Sequence, residues 1–378
     1  MDFSLNDEQQ AVADLSAQLL ADQATPTRIK ELEDGDELVF DRDLWAKLAE
    51  ANLLGVAVPE AQGGLGFGPV ELGLLLEQVG RTVAPVPVLA ALAYGAAPVA
   101  RFGTEAQRDA LLPGVVAGTS VLTAALVEPL GDPLRPTTSA TAAAGGGWVL
   151  DGLKTCVPAG LVADVILVSA TTPDGLVGLF VVDPAATGVT RQRQDTMTRV
   201  PEALVELTGV ALDADALVGP LDAEGTTVAW LVEHVTAAIC SVLTGVAESA
   251  LRLTAEYTTT REQFDRPIAT FQAVGQRAAN AFIDTEGIRL TTLKATWSLA
   301  DGRPSGKEVA VAKYFAADAG QRVVRAAQHL HGGVGVDRDY PLHRYYLWAK
   351  QLELTLGGAS RQLQTLGRLL ADEPVSVD

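Results

Sequence analysis

Two stretches of this 378-residue chain place side chains suited to a phosphorylated, planar ligand. The first runs Arg261-Glu262-Gln263-Phe264-Asp265-Arg266-Pro267-Ile268 and continues to Phe271-Gln272. A guanidinium forks onto two phosphate oxygens, and a phenyl face suits a planar ring. The spacing reads as a helix that pauses, offers two arginines and an aromatic, and restarts at Pro267, which a first helical turn tolerates. The competing reading is a charged helix–helix connection. The second stretch is His331-Gly332-Gly333-Val334-Gly335. Three glycines in four residues let a backbone approach a ligand and aim N–H groups at it. Residues 323–330 read as helix, so the strand-turn-helix setting of a dinucleotide fingerprint is missing. On its own the stretch reads equally as a helix C-terminus with a glycine turn, and His331 as a packed residue. No Ser-His-Asp order, metal-ligand spacing or P-loop is present, so no metal site is expected.

Charge narrows the partners. Lys+Arg 28 against Asp+Glu 47 gives −19, which disfavours phosphate backbones and anionic lipid surfaces. Neither nucleic acid nor membrane is expected as a partner. The two cysteines, Cys156 and Cys240, both lie among apolar residues and read as buried thiols in a reducing compartment. The start, Met1-Asp2-Phe3-Ser4, lacks the basic-then-apolar layout of a signal peptide. The most apolar stretch, residues 237–247, falls short of the ~20 residues that span a bilayer. A cytoplasmic protein is expected.

The elements that must position these residues follow from periodicity. Asn6 with Gln9, and Thr104 with Gln107, have capping-box spacing and open helices, the second ending near Gly114. The run with Leu44, Trp45, Leu48, Leu53 and Leu54 predicts a helix stopping at Gly55; residues 61–68 predict a loop, and 70–79 a helix. Alternation then replaces helical spacing. Segments 121–127, 148–157, 165–169, 179–182 and 204–212 predict strands of a small barrel or sandwich, with the Ala/Gly-rich residues 140–147 as a surface connection. Helices return over roughly 226–260, 267–300, 305–329 and 342–370. Residues 237–250 are apolar on nearly all sides, which implies a bundle centre or a subunit interface. The expected order is an N-terminal helical domain (1–120), a central β domain (121–218) and a C-terminal helical bundle (219–378), an α+β multidomain chain.

Over essentially its whole length the chain resembles the acyl-CoA dehydrogenases. The carriers are Phe40-Asp41-Arg42-Asp43-Leu44-Trp45, Leu54-Gly55-Val56-Ala57-Val58-Pro59-Glu60, Gly63-Gly64-Leu65-Gly66, and the stretch from Thr104 to Leu112-Pro113-Gly114. The strongest match is the pair above: Arg-x-x-Phe with Phe-Gln, then His-Gly-Gly-x-Gly ~70 residues on, followed by Tyr340-Pro341 and Arg344-Tyr345. The resemblance implies that family's helical–β–helical fold with a C-terminal four-helix bundle. It implies FAD lying between the β domain of one subunit and the bundle of a neighbour, in a homotetramer or a dimer of dimers. Arg261, Phe264, Gln272, His329, Gly332 and Gly333 would hold the ADP half; His329 stands where glutamine is usual, and Asp265 where glycine is usual.

The departures fall at the reacting centre. In the family a glutamate removes the acyl-CoA α-proton as the β-hydride passes to the flavin. Its usual place, just before a Gly-Thr pair, counts to Leu356 here, or to Gly357 with a one-residue slip. A minority carry the base 26 residues before the arginine of Arg-x-x-Phe, which is Val235. Glu233 lies two residues off, ~200° around a helix. The usual Thr-Glu-Pro reads Val127-Glu128-Pro129, and the Trp-x-Thr that covers the flavin ring reads Cys156-Val157-Pro158. No catalytic residue is therefore assigned.

This asymmetry, with Gln328-His329-Leu330-His331 before the glycines and Leu347-Trp348-Ala349-Lys350 after them, is similar to actinobacterial steroid side-chain acyl-CoA dehydrogenases. Those are heterotetramers of two related chains, only one of which carries the base. The resemblance implies an α2β2 partner subunit that lacks the base and lends the ADP-binding half of the FAD site. An acyl-CoA is the implied substrate, and an electron-transfer flavoprotein the implied acceptor. Two alternatives stand beside it: a self-sufficient homotetrameric dehydrogenase with Glu233 or Glu353 as a displaced base, and a flavin-free scaffold or CoA-ester-binding protein.

Overall fold

The structure, a computed structural model, describes residues 4–35 and 38–372. Among the described residues six α-helices come first, α1 (Asp7–Gln23), α2 (Pro26–Asp34), α3 (Arg42–Glu50), α4 (Pro69–Thr82), α5 (Ala97–Phe102) and α6 (Glu105–Val116), with a π-helix, Leu89–Ala96, running into α5. Both capping boxes form. The Asn6 side chain accepts from the Gln9 backbone at 2.8 Å, and that of Thr104 from Gln107 at 3.2 Å. The stretch read as one helix to Gly55 is broken instead. α3 ends at Glu50, Asn52 turns left-handed at φ 55°, and Leu53–Gly55 is a separate 3-10 turn. Asn is among the few residues that accept that backbone cheaply, so it stops the helix before the glycine does.

Eight strands follow: β1 (Leu122–Ala125), β2 (Ser139–Ala142), β3 (Trp148–Val157), β4 (Val165–Thr171), β5 (Val177–Val182), β6 (Val189–Gln194), β7 (Glu202–Leu212) and β8 (Leu217–Asp222). They make one sheet in the order β6-β7-β3-β2-β4-β5-β8, with β1 beside β4. Every pairing is antiparallel except β1–β4 and a single β2–β4 contact. The connection expected over residues 140–147 is a strand in its first part. β2 pairs with Trp148–Asp151 of β3, and Ala140 is fully buried. Alanine's low strand propensity is outweighed by the partner strand and by burial that only a small side chain fits.

From Thr226 the chain is helical again: α7 (Thr226–Thr260), a two-strand hairpin β9 (Glu262–Gln263) and β10 (Arg266–Pro267), then α8 (Gln272–Ala300), α9 (Gly306–His331), α10 (Leu342–Leu354) and α11 (Ala359–Asp372). The helix expected to restart at Pro267 begins five residues later, because Pro267 closes the hairpin and a 3-10 turn, Ile268–Thr270, follows it. The helix expected over 342–370 is cut in two. Leu356 and Gly357 take left-handed φ of 54° and 96°, which no continuous α-helix accommodates.

The chain divides into two compact units, one of Met1–Glu31, Pro69–Ala84 and Thr236–Asp378, the other of Leu32–Gly68 and Pro85–Val235. In the first, α4 and α7 meet backbone to backbone. A Cβ on Gly245 would lie 1.9 Å from the Glu77 carbonyl oxygen, and one on Gly80 2.0 Å from that of Val242. Only glycine permits that approach. By length and mean hydropathy (1.5) α7 also passes as a bilayer span, but 72% of that window is buried within the protein, as an interior helix requires. In the second unit the sheet buries Leu150, Ile166, Phe180, Val205 and Val210.

Candidate functional site

The first sequence-predicted segment is a tight hairpin after α7. Gln263 pairs with Arg266, and Glu262 with Pro267. The two residues at its tip, Phe264 and Asp265, have φ of 56° and 63°. A two-residue hairpin needs this left-handed pair so that the turn matches the strand twist. For an aromatic residue the backbone costs on the order of 1–3 kcal/mol. The result is a ring held outward, 86% exposed, with Phe271 at 6.1 Å edge-on. The Arg266 guanidinium lies 4.2 Å from the Phe271 ring centre, so this arginine is engaged locally. Arg261 is exposed at the end of α7, and Gln272 is exposed in the first turn of α8.

The second segment ends α9. Gly332 has φ 61° and ψ −137°, a conformation essentially reserved for glycine. No atom lies within 4 Å of where a Cβ would sit on Gly332 or Gly333, so this backbone faces open space. His329 is exposed on the last turn. His331 is buried at 3% exposure: Nδ1 meets the Ala327 carbonyl at 2.8 Å, and Nε2 the Tyr340 hydroxyl at 3.1 Å. Tyr257 of α7 stacks on its ring at 4.4 Å. Tyr257 is one turn before Arg261, and His331 adjoins Gly332. The two segments therefore share one end of the helical unit.

The positions that the resemblance assigned to covering the flavin ring lie in the other unit. Cys156, expected buried, is exposed, because a left-handed φ of 50° at the end of β3 turns it out of the alternating pattern. Its N–H donates to Gln194 Oε1 at 2.6 Å, and Gln194 Nε2 donates to the Thr155 hydroxyl at 2.9 Å. Pro158 accepts from the Thr123 hydroxyl through its carbonyl at 2.6 Å. Arg191 donates to the carbonyls of Gly160 and Ala163, each at 3.2 Å. The turn is firmly built although its side chains are not the usual ones. Cys240 is buried as expected, and burial pushes its thiol up to about 12.

The positions that the resemblance gave for a base carry no carboxylate. The Thr355–Gly358 break carries Leu356 and Gly357, and Val235 is fully buried on α7. Glu353 pairs with Lys350 at 2.9 Å, so this carboxylate is engaged locally. Glu233 is half-buried on the same unbroken helix as Val235, about 200° away.

Sequence reasoning missed the groups that hold these turns. Glu128 accepts from Thr137 and Thr138, through backbone and hydroxyl of each, and from Lys154 Nζ at 2.7 Å. Burial alone would raise this carboxyl, but Lys154 and the Thr137 and Thr138 hydroxyls bring it down to about 2. Burial lowers Lys154 to about 8 against the pull of Glu128. The signal was a lysine at an inward position of an alternating strand, where Leu150, Lys154 and Val157 are all buried. Lys313, wholly buried on α9, donates to the carbonyls of Leu352 at 2.7 Å and Glu353 at 3.0 Å. It sits directly before the 355–358 break, and no sequence pattern announced it.

The sequence matches the acyl-CoA dehydrogenase C-terminal domain over residues 225–371 and the N-terminal domain over residues 6–119. It is 41% identical to the acyl-CoA dehydrogenase FadE27 of Mycobacterium tuberculosis, over 99% of this chain and 100% of that protein. Among solved structures it superposes on a chain of the ChsE4-ChsE5 complex from Mycobacterium tuberculosis with TM-score 0.94 and 40% identity, covering 99% and 100% of the two chains. A variant of the Tcur3481-Tcur3483 steroid ACAD gives TM-score 0.91 and 44% identity, covering 98% and 99%. The fold and these matches define an oxidoreductase of the acyl-CoA dehydrogenase type. The chain belongs to the acyl-CoA dehydrogenase family.

The relatives in this family are FAD-binding flavoproteins. The end of the helical unit suits the ADP half of that group: an exposed guanidinium, an outward ring and an open glycine backbone lie together. The ring half suits it less, since Val127, Cys156 and Pro158 offer neither the hydroxyl donors nor the aromatic cover.

Proposed function

We propose that this chain is the base-lacking partner subunit of a heteromeric, FAD-dependent acyl-CoA dehydrogenase, lending Arg261, Phe264, Gln272, His329, Gly332 and Gly333 to the ADP half of FAD in a neighbouring subunit. The observation that carries the reading is the Thr355–Gly358 turn, ordered and clamped yet carrying Leu356 and Gly357 where a proton acceptor belongs. α,β-Dehydrogenation needs an acceptor within ~2.6–3.2 Å of the α-proton, directly or through one water. When bound, FAD supplies the two-electron acceptor for the β-hydrogen. This chain's residues bind and orient: Arg261 takes pyrophosphate oxygens through a paired N–H fork, and Phe264 presents a ring face. The substrate is an acyl-CoA, and the names of similar proteins favour a steroid CoA ester. An electron-transfer flavoprotein is the proposed acceptor.

Visible spectra of the purified chain test this. The reading expects a colourless chain alone and a yellow complex when a base-bearing relative is co-expressed. A chain that is yellow and active by itself, and loses activity in Glu233→Gln or Glu353→Gln, overturns it in favour of a displaced base. A chain that stays colourless with every co-expressed relative also overturns it, in favour of a flavin-free scaffold.

A further inference from the structure

No residue of the Tyr257–His331–Tyr340 cluster is among those the proposed function uses, yet the cluster joins the two segments that function needs. We propose that His331 is a positioning residue: locked between Tyr257 and Tyr340, it holds the Arg261 hairpin and the Gly332–Gly333 turn in one register and so sets the chain's affinity for the ADP half of FAD. This rests on the ADP-half reading above.

The hydrogen bonds define the lock. The Ala327 carbonyl, 2.8 Å from Nδ1, can only accept, so Nδ1 carries the proton. Burial holds His331 below the ordinary histidine value, which keeps the ring neutral near pH 7. Nε2 is then a lone-pair acceptor, and the Tyr340 hydroxyl at 3.1 Å is its donor. One imidazole thus ties the last turn of α9 to the segment leading into α10. The third tie is a ring contact. Tyr257 lies nearly parallel to His331, at 4.4 Å and 21°, and Tyr340 meets the Tyr257 ring at 6.3 Å and 65°. Tyr257 is one helical turn before Arg261, whose own N–H donates back to the Tyr257 carbonyl at 2.8 Å. A tilt of His331 therefore moves both the start of the hairpin and the first open glycine.

The geometry also excludes a direct role. His331 is 3% exposed and both its nitrogens are engaged, so it cannot reach a ligand on the open face of Gly332. Its effect must pass through backbone placement, where a shift of an ångström matters for paired phosphate contacts.

The test uses the flavin-carrying assembly, as the chain alone or with its co-expressed relative, stripped of flavin. Tyr340→Phe removes one hydroxyl and keeps the ring, and His331→Phe keeps the stacking and removes both polar ties. Each should raise the dissociation constants of FAD and of ADP about tenfold. Uptake of riboflavin, which lacks the ADP half, should not change. The double variant should be no worse than His331→Phe, because the two groups act as one unit. Equal loss of riboflavin and FAD would show general loosening and overturn the positioning role. So would unchanged FAD and ADP values in Tyr340→Phe, which decides the matter even if His331→Phe fails to fold. Arg261→Ala separates the two levels. If it weakens FAD and ADP while both lock variants leave them unchanged, only the positioning role falls; if it leaves both unchanged, the ADP-half reading falls with it.

Discussion

Single side chains here are poised by burial against charge, and Glu77 shows which wins. Arg81 meets Glu77 and Glu248 at 2.5 Å each, so two carboxylates share one guanidinium. Burial raises Glu77 to about 7, Arg81 opposes this, and Glu248 adds to it. The folded state therefore holds a proton that the unfolded chain releases near pH 4.5. Stability from this group is full below that pH and is lost as pH rises through 7. The shift corresponds to about 3 kcal/mol at most. Thermal melts should show the protein losing stability from pH 5 to pH 8, with a visibly flatter profile in Glu77→Gln. A profile identical in both would show that Glu77 does not govern this window. At the cofactor, Arg261→Lys keeps the charge and loses the fork. It should lower FAD affinity in the assembled protein with circular dichroism and melting temperature unchanged, as equilibrium dialysis would measure.

Among elements, the break between α10 and α11 is the most constrained. Leu356 in a left-handed backbone is costly, so something must hold it. Lys313 grips the two carbonyls before the break, and Gln362 Nε2 those of Leu356 and Gly357 at 3.2 and 3.3 Å. Burial lowers the Lys313 ammonium to about 8, which shows how reluctantly the charge sits there. Removing it relieves that cost but orphans two carbonyls, at ~1–3 kcal/mol each. Lys313→Met should therefore change global stability little, while amides 355–358 exchange roughly tenfold faster. Uniform acceleration across α9 and α10 would mean instead that Lys313 supports the whole bundle.

For the whole molecule, the prediction is a division of labour. The purified single chain with added FAD should not reduce a dye acceptor with short-, long- or steroid-chain CoA esters. With a base-bearing relative it should turn over with about one active flavin per two chains. Leu356→Glu should not rescue the lone chain, because Val127, Cys156 and Pro158 would still face the flavin ring. Turnover by that variant at a rate near the complex's would place the whole defect in the missing carboxylate.

What the sequence determined by itself is what short-range rules carry. Capping boxes at Asn6 and Thr104, the change of period near residue 121 and back near 226, and the all-round apolar middle of α7 are local patterns, and each appears in the structure. That Leu356, Gly357 and Val235 carry no carboxylate is legible too, since residue identity does not wait on the fold. Tertiary structure decided the rest. It paired Ala-rich residues into β2, where neighbours outweigh propensity. It turned Cys156 outward and cut the last helix at Leu356, since left-handed backbone at non-glycine residues is imposed by surroundings that no local pattern encodes. It placed Lys154 beside Glu128, 26 residues away in sequence, and stacked Tyr257 on His331 across 74 residues. Contacts of that range depend on how helices and strands are brought together, and only the folded chain supplies that.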